Sequence, residues 1–219
     1  MKKILELFSG TESISKIFKS HGWKCITVDN NPKHNCTHNM DIFDFDTHYE
    51  HFDVIWASPP CTTFSVASIG THWGGGKCGY IPKTEKSKQG IEIIRKTISI
   101  IHQSIIENRN LKFFIENPRG LLRKMHIMKE FEYGKDTSCS RKTVTYCQYG
   151  DTRMKPTDIW TNCDVWQPKP MCKNGDSCHV SAPRGSKTGT QGLDKVDRSR
   201  IPKMLCEEIF NAVVGAFTY

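Results

Sequence analysis

Cys61 follows two prolines at the end of an apolar run, in FDVIWASPPCTTFSVAS (residues 52–68). A strand that reaches Pro59 and Pro60 cannot continue its hydrogen-bond ladder, so the chain leaves the sheet there with a stiff backbone and a thiol fixed at the edge. Most cysteines in proteins are passive small hydrophobes, but a thiol at a strand end beside a Gly-rich segment suits a nucleophile. Glu116, in FFIENPRG, closes a second apolar run. Burial at such an edge favours the protonated carboxyl. A thiolate that adds to an electron-poor ring and an acid that protonates the same ring form a coherent pair.

Other strand ends carry ligand-binding chemistry. Phe8, Ser9, Gly10 and Thr11 close the first apolar run; Gly10 permits a tight turn, and the helix it opens can offer amino-terminal NH groups to an anionic or polar ligand. Asp29 lies about 20 residues further on, where a carboxylate accepts hydrogen bonds from ribose hydroxyls. Asp41, in NMDIFDFD, is a third candidate, able to accept from an adenine amino group. Each of these also has a plain structural reading, as a turn, a surface carboxylate or a capping residue.

The elements that must position these residues alternate. Lys3 to Ser9, Cys25 to Asp29, Phe52 to Ser58 and Leu111 to Asn117 read as strands. Glu12 to Ser20 reads as a helix, and Ile91, Ile94, Ile98, Ile101 and Ile105 recur at helical spacing. Strands alternating with helices predict an α/β fold with a mostly parallel, doubly wound sheet, in which ligands sit at the carboxyl ends of the strands. Thr62 to Gly90 is polar and Gly-rich, suited to a mobile lid, and Cys163 to Gly192 is a second irregular stretch.

With 219 residues the chain has room for one main core and a small appendage. No run approaches the roughly 18 to 20 apolar residues of a membrane span, and the start turns polar too soon for a signal peptide, so a soluble, cytoplasmic protein is expected. Its net charge of +8 makes a polyanionic partner reasonable without establishing one. Ten cysteines in such a chain point to reduced thiols used for metal binding or catalysis.

LFSG, VD, PPCTTFS and ENP, in this order and at these strand ends, resemble the DNA (cytosine-5) methyltransferases. The resemblance implies a Rossmann-like fold that binds S-adenosyl-methionine (SAM) near Phe8, Ser9, Gly10, Thr11, Asp29 and Asp41, with Pro60 close to the bound ligands. It implies that Cys61 attacks carbon 6 of a flipped cytosine while Glu116 engages ring nitrogen 3 and the exocyclic amine. In CQYGDTRMKPTDIWTN (147–162) the family's arginine-bearing motif corresponds to Arg153 or Lys155; spacing favours Lys155, and the planar fork favours Arg153. The turn SGTES departs from the family's Gly-rich form, and Pro118 stands where Val is commoner.

The compact length resembles methylases of bacteriophages, which would act in a bacterial host cell. The expected organisation is a catalytic domain over 1–160, a small target-recognition or zinc-binding insert over 161–200, and a carboxyl-terminal helix over 201–219 that returns to the cofactor pocket. Leu205, Ile209, Ala212, Val213 and Ala216 form that helix's apolar face. In the insert, Cys163, Cys172, Cys178 and His179 are candidate zinc ligands, with Cys147 or Cys206 as replacements for His179 because neighbouring ligands are unusual. The basic stretch PRGSKTGTQG is placed to track a DNA backbone. Within the resemblance, RNA is an alternative substrate, and a catalytically silent DNA-binding regulator is the alternative of a different class.

Overall fold

In the computed structural model, residues 1–47, 50–76, 79–134, 137–180 and 193–217 are described. Five parallel strands, β1 (Lys3–Leu7), β2 (Lys24–Asp29), β3 (His38–Asn39), β4 (Val54–Ala57) and β7 (Lys112–Pro118), occupy most of one sheet. Strands β8 (Ser140–Thr145) and β9 (Pro156–Thr161) complete it in the order β3-β2-β1-β4-β7-β9-β8. β9 runs antiparallel to both its neighbours. Short strands β5 (Trp73–Gly74) and β6 (Ile81–Pro82) pair separately.

Alternation along the buried strands fills both faces of the sheet. Leu5, Leu7, Ile55, Phe113 and Ile115 point to one face, where Ile94, Ile98, Ile101 and Ile105 of α3 (Glu85–Glu107) cover them together with Met128 and Phe131 of α4 (His126–Tyr133). Ile4, Val54, Trp56 and Phe114 point to the other face, against α1 (Ser13–Ser20) and α6 (Lys203–Ala216). Leu205, Ile209 and Val213 are buried on α6 as expected, joined by Cys206 and Phe210, while Ala212 and Ala216 sit at its margin.

The 62–90 segment is not a free lid. It carries α2 (Ile69–His72), the β5–β6 hairpin and the first turn of α3, which Thr84 and Ser87 close with reciprocal side-chain caps of 3.2 and 3.1 Å. Phe64 and Trp73 are buried in the core, and the Trp73 indole NH donates to the Thr63 carbonyl at 2.7 Å. The aromatic anchors, rather than the glycines, decide the behaviour of this stretch.

Glu6 is a charge-bearing residue on the α1 face of β1, 2% exposed, and its carboxylate accepts from the Ser15 amide at 2.8 Å. Burial pushes its pKa from 4.5 to about 7, against the hydrogen bonds from Ser15. Between those values the folded state keeps a proton that the unfolded chain loses, so this group's contribution to stability falls as pH rises from about 4.5 to about 7 and is level above. Glu6→Gln keeps an acceptor for Ser15 and removes the titration. Relative to the parent, the variant should gain up to roughly 3 kcal/mol across that window. Urea midpoints of the two proteins below and above the window check this, and an unchanged gap refutes it.

Candidate active site at the carboxyl edge of the sheet

Two adjacent parallel strands deliver the thiol and the carboxyl group. Ala57 of β4 is in register with Ile115 of β7, so the chain presents Glu116 beside Ser58 and then turns through the prolines to Cys61. The Asn117 side-chain amide donates to the Pro59 carbonyl at 2.9 Å, which ties the two strand ends together. Beyond Cys61 the chain is pinned again: Phe64 NH donates to the Cys61 carbonyl at 3.0 Å, and the Phe64 carbonyl accepts from Leu121 at 2.8 Å. A Cβ on Gly120 would lie 2.4 Å from that carbonyl, so only glycine allows this approach.

Glu116 is buried and accepts a hydrogen bond from the Tyr146 hydroxyl at 3.0 Å. Lys155 Nζ lies 3.9 Å from the same carboxylate oxygen and 4.6 Å from the centre of the Tyr146 ring. Burial first, and then the neighbouring carboxylate, push the Tyr146 phenol well above its ordinary range, so it serves as a donor. Cys61 is half-buried, and burial raises its pKa. The Glu116 charge raises it further, whereas Lys155 and Arg198 pull it down. A negative Glu116 therefore adds to burial in keeping the thiol protonated, and an uncharged carboxyl removes that part of the shift.

The structure separates the two basic candidates. Lys155 faces Glu116 and also donates to the Arg198 carbonyl at 3.3 Å. Arg153 forks onto Asp151, with Nε at 2.8 and 2.9 Å from its two oxygens, and reaches the Asp197 carbonyl of α5 (Lys195–Ser199) at 3.2 Å. Arg153 thus braces a loop and α5, while Lys155 adjusts the charge at the pair. Lys155→Met should slow alkylation of Cys61 by iodoacetamide roughly 3- to 10-fold at mildly alkaline pH, and Arg153→Met should leave it unchanged. Peptide mass spectrometry at Cys61 reads both; equal effects would remove the distinction.

At the first strand end the backbone is bent into the left-handed region at Phe8 (φ 58°), Gly10 (φ 46°) and Glu12 (φ 52°). The Asp29 carboxylate accepts from Gly10 NH at 2.9 Å and Asn31 NH at 2.8 Å, so it fixes this turn. Asp41 accepts from Phe43 NH at 3.0 Å, as a turn-forming carboxylate does. Ser9 Oγ is buried without a protein partner among the described residues. A cavity of about 690 Å³ opens beside the turn, lined by Gly10, Thr11 and Lys16 and, where α5 gives way to α6, by Arg200, Ile201 and Lys203. Ile201 NH donates to Ser13 Oγ at 3.3 Å, which brings the carboxyl-terminal helix back to this turn. The anchored turn and the basic cavity fit a nucleoside carrying an amino-acid tail, whose carboxylate the lysines and arginine would meet. Of the residues expected around that cofactor, Gly10 and Thr11 line the cavity, whereas Phe8, Ser9, Asp29, Asp41 and Pro60 do not.

The cysteines regroup. Cys172, Cys178 and His179 come together with Cys147, their ligand atoms all within 4.8 Å of one another, and Cys163 is elsewhere. The cause is the reversal of β9, which carries the chain from the carboxyl edge of the sheet to the opposite edge and leaves Cys163 there, buried in the core beside Trp166. The following residues run back along β8, with Lys142 Nζ donating to the Trp166 carbonyl and Cys172 NH donating to Thr145 Oγ1 at 3.0 Å. Cys206 is buried in the core on α6. The basic stretch 183–192 lies outside the described residues.

Tyr146, Asp151 and Arg198 were not singled out by the sequence, whereas Asn117 was expected, with Pro118, to hold the backbone of Glu116 in place. Tyr149, whose pairing with Gly150 drew attention, instead donates to Glu208 of α6 at 2.9 Å. Tyr146 stands one residue before the stretch 147–162, and that nearness was the signal for it.

This order of strands, with ligand-binding ends along one edge, defines a methyltransferase fold, and solved structures agree. The Entamoeba histolytica methyltransferase EhMeth superposes with a TM-score of 0.52 at 13% identity, over 74% of this chain and 52% of that one. A prophage-encoded E. coli protein assigned as a DNA modification methyltransferase gives 0.51 at 14% identity, over 78% and 52%. The chain thus spans about half the length of these two proteins. No family model matches. Against a curated relative, the probable DNA (cytosine-5)-methyltransferase of frog virus 3, the chain is 29% identical over 228 residues, covering 95% of this chain and 99% of that one. The chain is a homologue of the DNA (cytosine-5) methyltransferases.

Proposed function

We propose that the protein methylates carbon 5 of cytosine in DNA, with SAM as methyl donor. The observation that carries this reading is the pairing of Cys61 and Glu116 on neighbouring strand ends, tied through Asn117 and Pro59. The Cys61 thiol gives its proton to water and its sulfur forms a bond to carbon 6 of the base, while the proton of Glu116 goes to ring nitrogen 3, so that the electron pair collects at carbon 5. Bound SAM would supply the methyl group that carbon 5 takes. Loss of the carbon 5 proton to water then expels the thiolate, and nitrogen 3 returns its proton to Glu116, which restores the ring and the acid. Before the step a protonated, uncharged Glu116 does not add to the shift that holds Cys61 protonated, and it becomes a carboxylate only as it gives its proton to the base. Lys155 and Arg198 lower the Cys61 pKa and so favour formation of the thiolate.

Cofactor binding falls to the Phe8–Thr11 turn, to Asp29 and to the cavity side chains Lys16, Arg200 and Lys203, with Asp41 and Pro60 as further contacts. The target base must leave the duplex to reach Cys61, at a cost of a few kcal/mol that contacts with the extruded strand offset. The chain divides into a catalytic body (1–160), a Cys-rich insert (161–200) and a returning helix (201–219), and it works in the cytoplasm of a host cell.

Mass spectrometry of nucleosides tests the reading after incubation with SAM and either duplex DNA or an RNA of the same sequence. New 5-methylcytosine in DNA is expected. Methylation of the RNA alone would transfer the substrate class, and silence on both would leave only the binding role.

A further inference from the structure

We infer that Cys147, Cys172, Cys178 and His179 form a tetrahedral zinc site that locks the turn carrying Tyr146. Cys147 Sγ lies 3.1 Å from Cys172 Sγ and 3.5 Å from Cys178 Sγ. His179 Nδ1 lies 3.8 Å from Cys172 Sγ and 3.5 Å from Cys178 Sγ. A tetrahedral zinc with bonds of about 2.3 Å to sulfur and about 2.0 to 2.1 Å to nitrogen requires sulfur–sulfur separations of about 3.8 Å and sulfur–nitrogen separations of about 3.6 Å. The four atoms stand within a few tenths of an ångström of that figure for three of these pairs, and a small spreading of Cys147 and Cys172 completes it.

The surroundings are those of a metal site rather than of a packed core. Residues 173–177 are all exposed, so no apolar burial orders this loop. A turn, Asp176 NH to the Lys173 carbonyl at 3.2 Å with Lys173 NH to Asp176 Oδ2 at 2.6 Å, folds the chain back so that Cys178 and His179 meet Cys172. The Gln148 side-chain amide donates to Cys178 Sγ at 3.4 Å, the kind of outer contact that steadies a thiolate ligand. Neighbouring positions 178 and 179 both serve because the chain at 179 turns out of the loop, where Val180 NH donates to the Thr152 carbonyl at 3.1 Å. Binding displaces one proton from each thiol as three sulfur–metal bonds and one nitrogen–metal bond form.

The location gives the site its purpose. Cys147 is the next residue after Tyr146, within the Tyr146–Tyr149 turn. Zinc would link that turn to the Cys172–His179 loop and so hold the Tyr146 hydroxyl on Glu116. Cys147 and its neighbours do not touch the reacting atoms; they are positioning residues. The inference rests on the cluster alone and stands whether or not methyl transfer is found.

Metal analysis of the full chain, purified under thiol reductant without chelators, should find about one zinc per chain. Cys172→Ser should lose it, and Cys163→Ala should keep it. Cobalt substituted into the parent should give the visible bands of tetrahedral thiolate coordination, and His179→Ala, a half-exposed position less demanding for folding, should alter those bands. Removal of zinc should increase hydrogen exchange over 146–150 and 172–179 at least about 10-fold while β1 and β4 stay protected. A metal-free chain under reductant, a Cys147–Cys172 disulfide in that preparation, or zinc lost in Cys163→Ala but kept in Cys172→Ser would overturn the assignment.

Discussion

Cys61→Ser should reduce methyl transfer by on the order of 10⁴-fold or more, as expected when a covalent nucleophile is removed from a site whose other parts remain. The hydroxyl of serine is a far weaker nucleophile than a thiolate at neutral pH, and the carboxyl group acting on position 61, Glu116, is required by the mechanism as an acid. In the presence of SAM the parent should form a stable adduct with an oligonucleotide containing 5-fluorocytosine, because fluorine cannot leave as the carbon 5 proton does. The variant should form none, yet should bind SAM as the parent does, since Cys61 does not line the cavity beside Gly10. A serine variant that retains the adduct would assign the nucleophile to another residue.

The second large effect separates two properties that usually fall together. Glu116→Gln should lower methyl transfer by about 10²- to 10⁴-fold through loss of the acid, and should at the same time speed alkylation of Cys61. The sign follows from the charges: burial leads in raising the thiol pKa and the Glu116 carboxylate adds to it, so an uncharged amide lets the thiol ionise at lower pH. The parent's alkylation profile should therefore lie at higher pH than the variant's. Tyr146 can still donate to the amide oxygen, which preserves the geometry. If alkylation slowed together with transfer, a general loss of structure would explain both, and the electrostatic account would fail.

The site was legible in the sequence wherever a parallel strand stops abruptly. VIWA and KFFIENP are buried on both faces, so they read as continuous apolar runs, and the residues that end them stand out. β8 was not legible, because SRKTVT is half-exposed at the sheet's edge and its polar residues resemble a loop. Missing β8 hid the reversal at β9, and the reversal is what separates Cys163 from Cys172. Proximity in sequence placed those two cysteines together; the path of the chain along the sheet brought Cys147 in instead. The first turn of α3 was missed for a similar reason: its residues Glu85, Lys86 and Lys88 are exposed and charged, and the cap from Thr84 and Ser87 lies within a stretch dominated by glycine and lysine.

The Asn117 bond to the Pro59 carbonyl also decides what can move. Cys61 and Glu116 leave strands whose separation is set by the sheet at about 4.8 Å, and the side-chain bond spans that gap at the level of the reacting groups. Neither strand end can shift alone without breaking it. Tyr146, Lys155 and α5 are held from outside by turns and single side chains. In mechanical terms the nucleophile and the acid form one rigid jaw, and the side of β8 and β9 forms a second one, assembled from turns and single side chains.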